Sequence, residues 1–310
     1  MTKRAPQNVA ASVHARLLNR SRETGEDFRF ILHRYAAERF LYRLGRSPYR
    51  DQYVLKGAML YALWGGAVYR PTHDLDFTGY GSDDVRDVLL AFREVCLIPV
   101  EDDGVVFDVE ALSAETIRHD SEYAGLRVNF AAKLGAARIP MQIDIGFGDA
   151  IEPQARDVEY PTLLQAPAPN IRAYPHEAVV AEKLHALVVL GERTSRMKDI
   201  YDLHTLAAQF AFDGATLSGA IGATFRRRVT PITTAMPVAL TPRFFTDDRR
   251  AGQWRAYLDR NRLPGAPADL ALAGERLLSF LGPVWTALGA AQTFAPSWRE
   301  GGPWRDEAAS

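Results

Sequence analysis

Asp74 and Asp76, in the run Arg70-Pro71-Thr72-His73-Asp74-Leu75-Asp76-Phe77, are the residues of this chain best spaced to do chemistry. Read as a loop entering a short strand, the run alternates. Both carboxylates fall on one face, and Leu75 and Phe77 face a core on the other. Two acids one strand step apart repel each other unless a cation lies between them. A hard divalent ion with oxygen ligands, Mg²⁺ or Mn²⁺, is the natural occupant. Asp-x-Asp pairs are also common in solvated turns, so this one gains meaning only from its company.

A third acid comes from Met141-Gln142-Ile143-Asp144-Ile145-Gly146-Phe147-Gly148-Asp149. Met141, Ile143 and Ile145 face one side of the expected strand, which leaves Asp144 projecting from the other. An acid at the centre of so apolar a strand is costly without a partner. Asp149 follows in a turn and reads as solvated. Upstream, Lys56-Gly57-Ala58 offers a glycine that lets backbone approach a phosphate, or simply lets two elements pack closely. Downstream, Lys183 lies beside the stripe Val180, Leu184, Leu187 and Val188 of an expected helix. Its ammonium either snorkels to solvent or aims at a triphosphate in an inter-domain cleft. Asp199 and Asp202 share a face at i, i+3 of the next helix, where pairing with Arg196 or Lys198 would satisfy one and leave the other.

Three acids on two strands suit nucleotidyl transfer from a nucleoside triphosphate. The reaction needs charge neutralised at the α-phosphorus, a stabilised pyrophosphate and a deprotonated hydroxyl, which two divalent ions about 4 Å apart can supply together. On this reading Asp74 and Asp76 hold both ions and Asp144 completes the one at the nucleophile. Lys183 clamps the triphosphate, with Arg70 assisting from its loop.

The elements that must position these groups form an α+β pattern. Residues 8–22 and 26–44 read as helices, the second with Phe28, Ile31, Leu32 and Tyr35 at helical spacing. A helix at about 50–64 would carry Lys56-Gly57-Ala58 near its start, and another at 83–96 would take Ser82 as its N-cap. Residues 104–112, 124–133 and 139–147 read as strands, with Gly135 and its neighbours as turn. A proline-rich stretch, 152–175, marks a domain boundary, and the helices expected after it are 176–190, one containing Asp199, 214–226, 248–261 and 267–288. The expected division is N-terminal helices at 1–50, a core at 51–165, a helical domain at 166–290 and a loose tail at 291–310. In the helical half, Arg226 to Arg228, Arg243, Arg249, Arg250 and Arg255, interleaved with Phe244, Phe245 and Trp254, offer an RNA-backbone surface with stacking groups, or a plain solvated face.

Bulk composition is permissive. The 310 residues carry a net charge of −1, with 47% hydrophobic and 24% charged residues, so total charge does not point to nucleic acid. The single cysteine, Cys96, excludes an intrachain disulfide and sits among apolar neighbours as a core thiol. No signal peptide is read at the start. The most apolar helix is broken by Glu182, Lys183 and His185, short of the ~18 uninterrupted residues of a membrane span. A cytoplasmic location is expected.

The runs Phe40-Leu-Tyr-Arg-Leu, Tyr53-Val-Leu-Lys-Gly-Ala-Met-Leu, Arg70 to Phe77, Gln142 to Asp149, Glu182-Lys183 and Lys198-Asp199-Ile-Tyr-Asp202-Leu resemble the AbiEii/AbiGii nucleotidyltransferase toxins over about residues 28–262. The resemblance implies a polymerase-β-like nucleotidyltransferase core, a mixed twisted sheet flanked by helices, with a helical C-terminal domain. It implies the toxin of a type IV toxin–antitoxin and phage-defence pair, with an AbiEi-like antitoxin as partner. It also implies transfer of a nucleotide from NTP to RNA, the tRNA 3′ end in some relatives. By the same match Gly57 joins Asp74 and Asp76 in the first motif, Asp144 forms the second, Lys183 the third, and Asp199 and Asp202 the fourth. Where the family usually has Gly-Gly or Gly-Ser, this chain has Gly57-Ala58, which removes a hydroxyl contact to phosphate. Two alternatives remain: transfer to a protein hydroxyl, and an inactive binding module, which would be expected to have lost one of the three acids.

Overall fold

The computed structural model describes residues 8–64, 74–118, 124–148, 151–261, 263 and 265–306. They fall into two compact units. The first holds the described residues up to Gly148 together with Arg156–Ala173; the second begins in earnest at Tyr174.

The first unit opens with α1 (Val9–Thr24) and α2 (Phe28–Gly45). The carboxylate of Asp27 starts α2 by accepting the Arg29 N–H at 2.8 Å. This helix is buried over most of its circumference, charged residues included. Arg39 donates to Glu38 at 2.7 Å and to the Pro167 carbonyl at 2.9 Å, and Glu38 accepts the Leu163 N–H at 2.6 Å. Burial pushes the Glu38 carboxyl up, against the pull of Arg39. A pair this deep persists because each partner also finds backbone to bond.

Next come β1 (Tyr53–Lys56), a 3₁₀ turn (Gly57–Met59), α3 (Leu60–Leu63), β2 (Asp74–Gly79) and α4 (Val85–Leu97). They are followed by β3 (Val105–Phe107), β4 (Ser113–Arg118), β5 (Ala124–Leu134), β6 (Ala137–Phe147), β7 (Arg156–Glu159) and β8 (Asn170–Ala173). Among the described residues these strands make one mixed sheet, ordered β3-β5-β6-β2-β1-β8-β7, with β4 also on β5. The β2–β6 and β1–β8 pairs are parallel, and β5–β6 is a hairpin turned at Gly135, whose φ is +59°. Leu55, Leu75, Phe77, Val128, Ile143 and Ile145 are fully buried in its core.

Three local expectations are corrected. Residues 53–56 of the expected helix at 50–64 are a central strand, because Tyr53-Val54-Leu55 is a short apolar run whose period is uninformative. Such runs, buried on both faces, are how interior strands read. The strand β4 was not read at all: as an edge strand its Ser-Ala-Glu-Thr-Ile-Arg lacks a clean apolar face. Asp84, not Ser82, caps α4, accepting the Arg86 N–H at 2.7 Å.

The second unit contains α5 (His176–Leu190), α6 (Met197–Gln209), β9 (Phe212–Asp213), α7 (Gly214–Arg227), α8 (Pro242–Phe245), α9 (Asp248–Asn261) and α10 (Leu270–Gly289). The stretch after 290, expected to be loose, instead carries β10 (Ser297–Trp298) and β11 (Trp304–Arg305); β10 pairs with β9 on one side and β11 on the other in a small antiparallel sheet. Aromatic burial explains the order there. Trp304 stacks on Phe280 at 5.8 Å and 6°, and Trp298 donates its indole N–H to the Ala207 carbonyl at 2.8 Å. Among the described residues no helix is long and apolar enough to cross a membrane.

Candidate active site

Strand register assembles one charged row across the sheet of the first unit. Lys56 on β1 is opposite Asp76 on β2, Asp76 is opposite Asp144 on β6, Asp144 is opposite Arg127 on β5, and Arg127 is opposite Glu115 on β4. Residues opposed in register project from the same face. Asp74, two residues before Asp76, shares that face and opposes Gln142. The structure therefore brings Asp74, Asp76 and Asp144 together on neighbouring strands. Asp74 and Asp76 are half-buried and Asp144 is buried.

The guanidinium of Arg127 grips Asp144 with both prongs, Nε to Oδ1 and Nη2 to Oδ2, each at 2.8 Å. That hydrogen bonding raises the Arg127 pKa, and the charges of Asp144, Asp74 and Glu115 add to it. Sequence reasoning missed Arg127, although a signal existed. With Gly135 and Ala136 taken as a two-residue turn, Leu134 pairs with Ala137, and stepping seven residues back along each strand arrives at Arg127 and Asp144.

Gly57 also finds a partner the sequence did not suggest. Its φ is +73°, and a Cβ at this position would collide with the carboxylate of Asp76. The glycine makes room for an acid. Ala58 is buried, and Lys56 is half-buried in the charged row. Arg70 lies outside the described residues.

The donor chemistry of this face fits a hard divalent ion, since Asp74 and Asp76 present carboxylate oxygens from one side of a strand. Both Asp144 oxygens are engaged by Arg127. Among the described residues, no three acid, histidine or cysteine side chains are gathered into a group that could hold a metal.

A separate charge network lies in the second unit. The Lys183 ammonium on α5 donates to Asp199 at 3.0 Å and to Asp202 at 2.6 Å, both on α6. Arg196 takes the other Asp199 oxygen. Burial alone would raise the Asp199 pKa, but Lys183 and Arg196 outweigh it and bring the carboxyl down to about 2. Asp199 and Asp202 are at most 1% exposed, so an unpaired acid here would be severely penalised. The expectation that one of the two would be left over is thus corrected: Lys183 bonds both.

Other candidates resolve as packing. His185 is buried, with Nε2 at 2.9 Å from the Thr230 hydroxyl, and burial lowers the His204 pKa to about 4. Burial pushes the Cys96 thiol up to about 12, as befits a core thiol. Phe244, Phe245 and Trp254 are buried and offer no stacking platform, which corrects that part of the expected RNA surface. Arg250 lies over Phe244 at 4.2 Å and donates to the Glu192 carbonyl. Arg193, Arg243 and Arg249 are exposed and, with Glu192, Asp247 and Asp248, line a polar pocket of about 540 Å³.

Comparison with known proteins adds a family. The profile described as nucleotidyl transferase AbiEii toxin, type IV TA system, matches residues 39–274. No curated protein matches. Among solved structures, JHP933 from Helicobacter pylori is similar at 17% identity and a TM-score of 0.49, over 84% of this chain and 94% of its own. A second H. pylori chain, described only provisionally as a nucleotidyltransferase, gives 17% and 0.48 over 84% and 97%.

Proposed function

The chain belongs to the AbiEii nucleotidyltransferase toxin family of type IV toxin–antitoxin systems, and from that membership we propose a divalent-metal-dependent transfer of a nucleoside monophosphate from NTP to RNA. The acceptor is the tRNA 3′ end, and the consequence is arrested translation. An AbiEi-like antitoxin is the partner that restrains it. The observation that carries this reading is the register that sets Asp74, Asp76 and Asp144 on one face of adjacent parallel strands.

When bound, divalent ions would supply charge neutralisation at the α-phosphorus and at the departing pyrophosphate. Asp74 and Asp76 would hold them, and Gly57 keeps the space that Asp76 occupies. Asp144, from β6, would complete the ion at the nucleophile and help orient the attacking hydroxyl. The family resemblance assigns Lys183 and Arg70 to the triphosphate and Asp202 to the site. In this chain Asp199 and Asp202 fix the direction of the Lys183 ammonium. The choice of RNA over a protein hydroxyl rests on the family resemblance, since exposed Arg193, Arg243 and Arg249 share their pocket with Glu192, Asp247 and Asp248.

The test is incubation of the purified protein with each labelled NTP, Mg²⁺ or Mn²⁺, and deacylated tRNA. Label at RNA 3′ ends is the expected result. Label in protein alone would transfer the reading to a protein acceptor, and label nowhere with any NTP would leave a binding module.

A further inference from the structure

We propose that Arg127 is the resident counter-cation of Asp144: it holds the carboxylate while the face carries no divalent ion, and gives up an oxygen when one binds. The inference rests on the metal-binding reading of this face. It begins from a charge problem. Asp144 is buried, and its neighbour in register is another acid, Asp76. Two carboxylates side by side on a partly desolvated sheet need positive charge between or beside them. Lys56 flanks the pair at the Asp76 end and Arg127 at the Asp144 end. The Arg127 contact is the demanding one, since a two-pronged fork at 2.8 Å occupies both oxygens that a cation would use.

The guanidinium has somewhere to go. Its side chain is 32% exposed while that of Asp144 is 7% exposed, so the arginine reaches inward from the solvent side. Glu115 is the next residue in the row, in register with Arg127 on the far side from Asp144, and it is exposed. A modest turn of the arginine exchanges one carboxylate for another without stranding its charge. Arg127 is thus a positioning residue with two seats, and the ion and the guanidinium compete for Asp144.

Competition has a sign that plain structural support lacks. Arg127→Gln keeps most of the side-chain stem and removes the rival charge, so the nucleotide-free protein should bind Mn²⁺ about tenfold more tightly, the factor that ~1.4 kcal/mol makes. Arg127→Lys keeps a charge but loses the fork, leaving one oxygen open, and should lie between. Binding is read by the loss of the free Mn²⁺ electron paramagnetic resonance signal, with circular dichroism confirming the fold. Equal or weaker binding by folded Arg127→Gln would overturn the proposal and leave the arginine as a brace. If that variant does not fold, Arg127→Lys decides: affinity unchanged from the parent overturns the exchange. Asp76→Asn separates the two layers of argument. If it abolishes Mn²⁺ binding while Arg127 variants leave affinity unmoved, the metal reading stands and the exchange falls. If no protein binds Mn²⁺, both fall.

Discussion

Gly57 and Asp76 occupy each other's space: the carboxylate lies where any other residue at 57 would place its Cβ. The backbone there is also left-handed, at φ +73°. Gly57→Ala therefore faces a strained conformation costing roughly 1–2 kcal/mol and a displaced acid. A misplacement near 1 Å can cost ~10²-fold in rate. Transfer activity should fall by about that factor with the protein still folded. Calorimetric melting alongside an activity assay checks it, and wild-type turnover in Gly57→Ala would detach the glycine from the site.

Asp76→Asn preserves shape and removes charge from the middle of the row, without touching the Arg127–Asp144 grip. Transfer and growth inhibition should both vanish while the protein stays folded, since asparagine keeps the volume of the side chain in the row between Lys56 and Asp144. Residual growth arrest on controlled expression would argue against the metal-holding role.

Lys183→Ala asks two things of one side chain. Removing the ammonium takes the 2.6 Å ion pair from buried Asp202 and the 3.0 Å one from buried Asp199, which should cost ~3–5 kcal/mol in urea unfolding. If Lys183 also meets the triphosphate, NTP affinity of the folded fraction falls in titration calorimetry. Intact affinity would confine the lysine to holding α5 against α6.

Acid sensitivity should come in two windows. His204 has a folded pKa of about 4 because burial, then the charge of Arg276, oppose protonation, against its ordinary 6.5. The unfolded chain therefore binds more protons between those values, so stability drops by ~3 kcal/mol as pH falls from 6.5 to 4. Asp199, held to about 2, contributes ~2 kcal/mol that is complete above its unfolded pKa and lost as pH falls from ~4 toward 2. His204→Gln should flatten the first window only, as read from denaturant midpoints across pH.

Helices and the polar face of the sheet were legible for a simple reason. α2 and α5 are long runs of helix-forming residues free of glycine and proline interruption until their ends, and the alternation in β2 and β6 puts Asp74, Asp76 and Asp144 on the side opposite Leu75, Phe77, Ile143 and Ile145. Tyr53–Lys56 was not legible, because a four-residue buried strand has no period to read. Arg127 was hidden differently: its importance comes from register, and register depended on a turn whose length had to be fixed first. The pairing of Lys183 with both acids was equally invisible, since spacing along α6 says nothing of what α5 places opposite. Phe244, Phe245 and Trp254 misled because an arginine–aromatic mix looks alike whether its rings face water or core.

The small sheet of β9, β10 and β11 bears on how this protein can be handled. Family similarity stops at 274, within α10, and a fragment trimmed there would discard Phe280 along with the two tryptophans that cover it. Such a fragment would present a sticky, half-dismantled helix bundle to the cell. Expression work and antitoxin pull-downs are better served by carrying the chain through Arg305, with any affinity handle added beyond it.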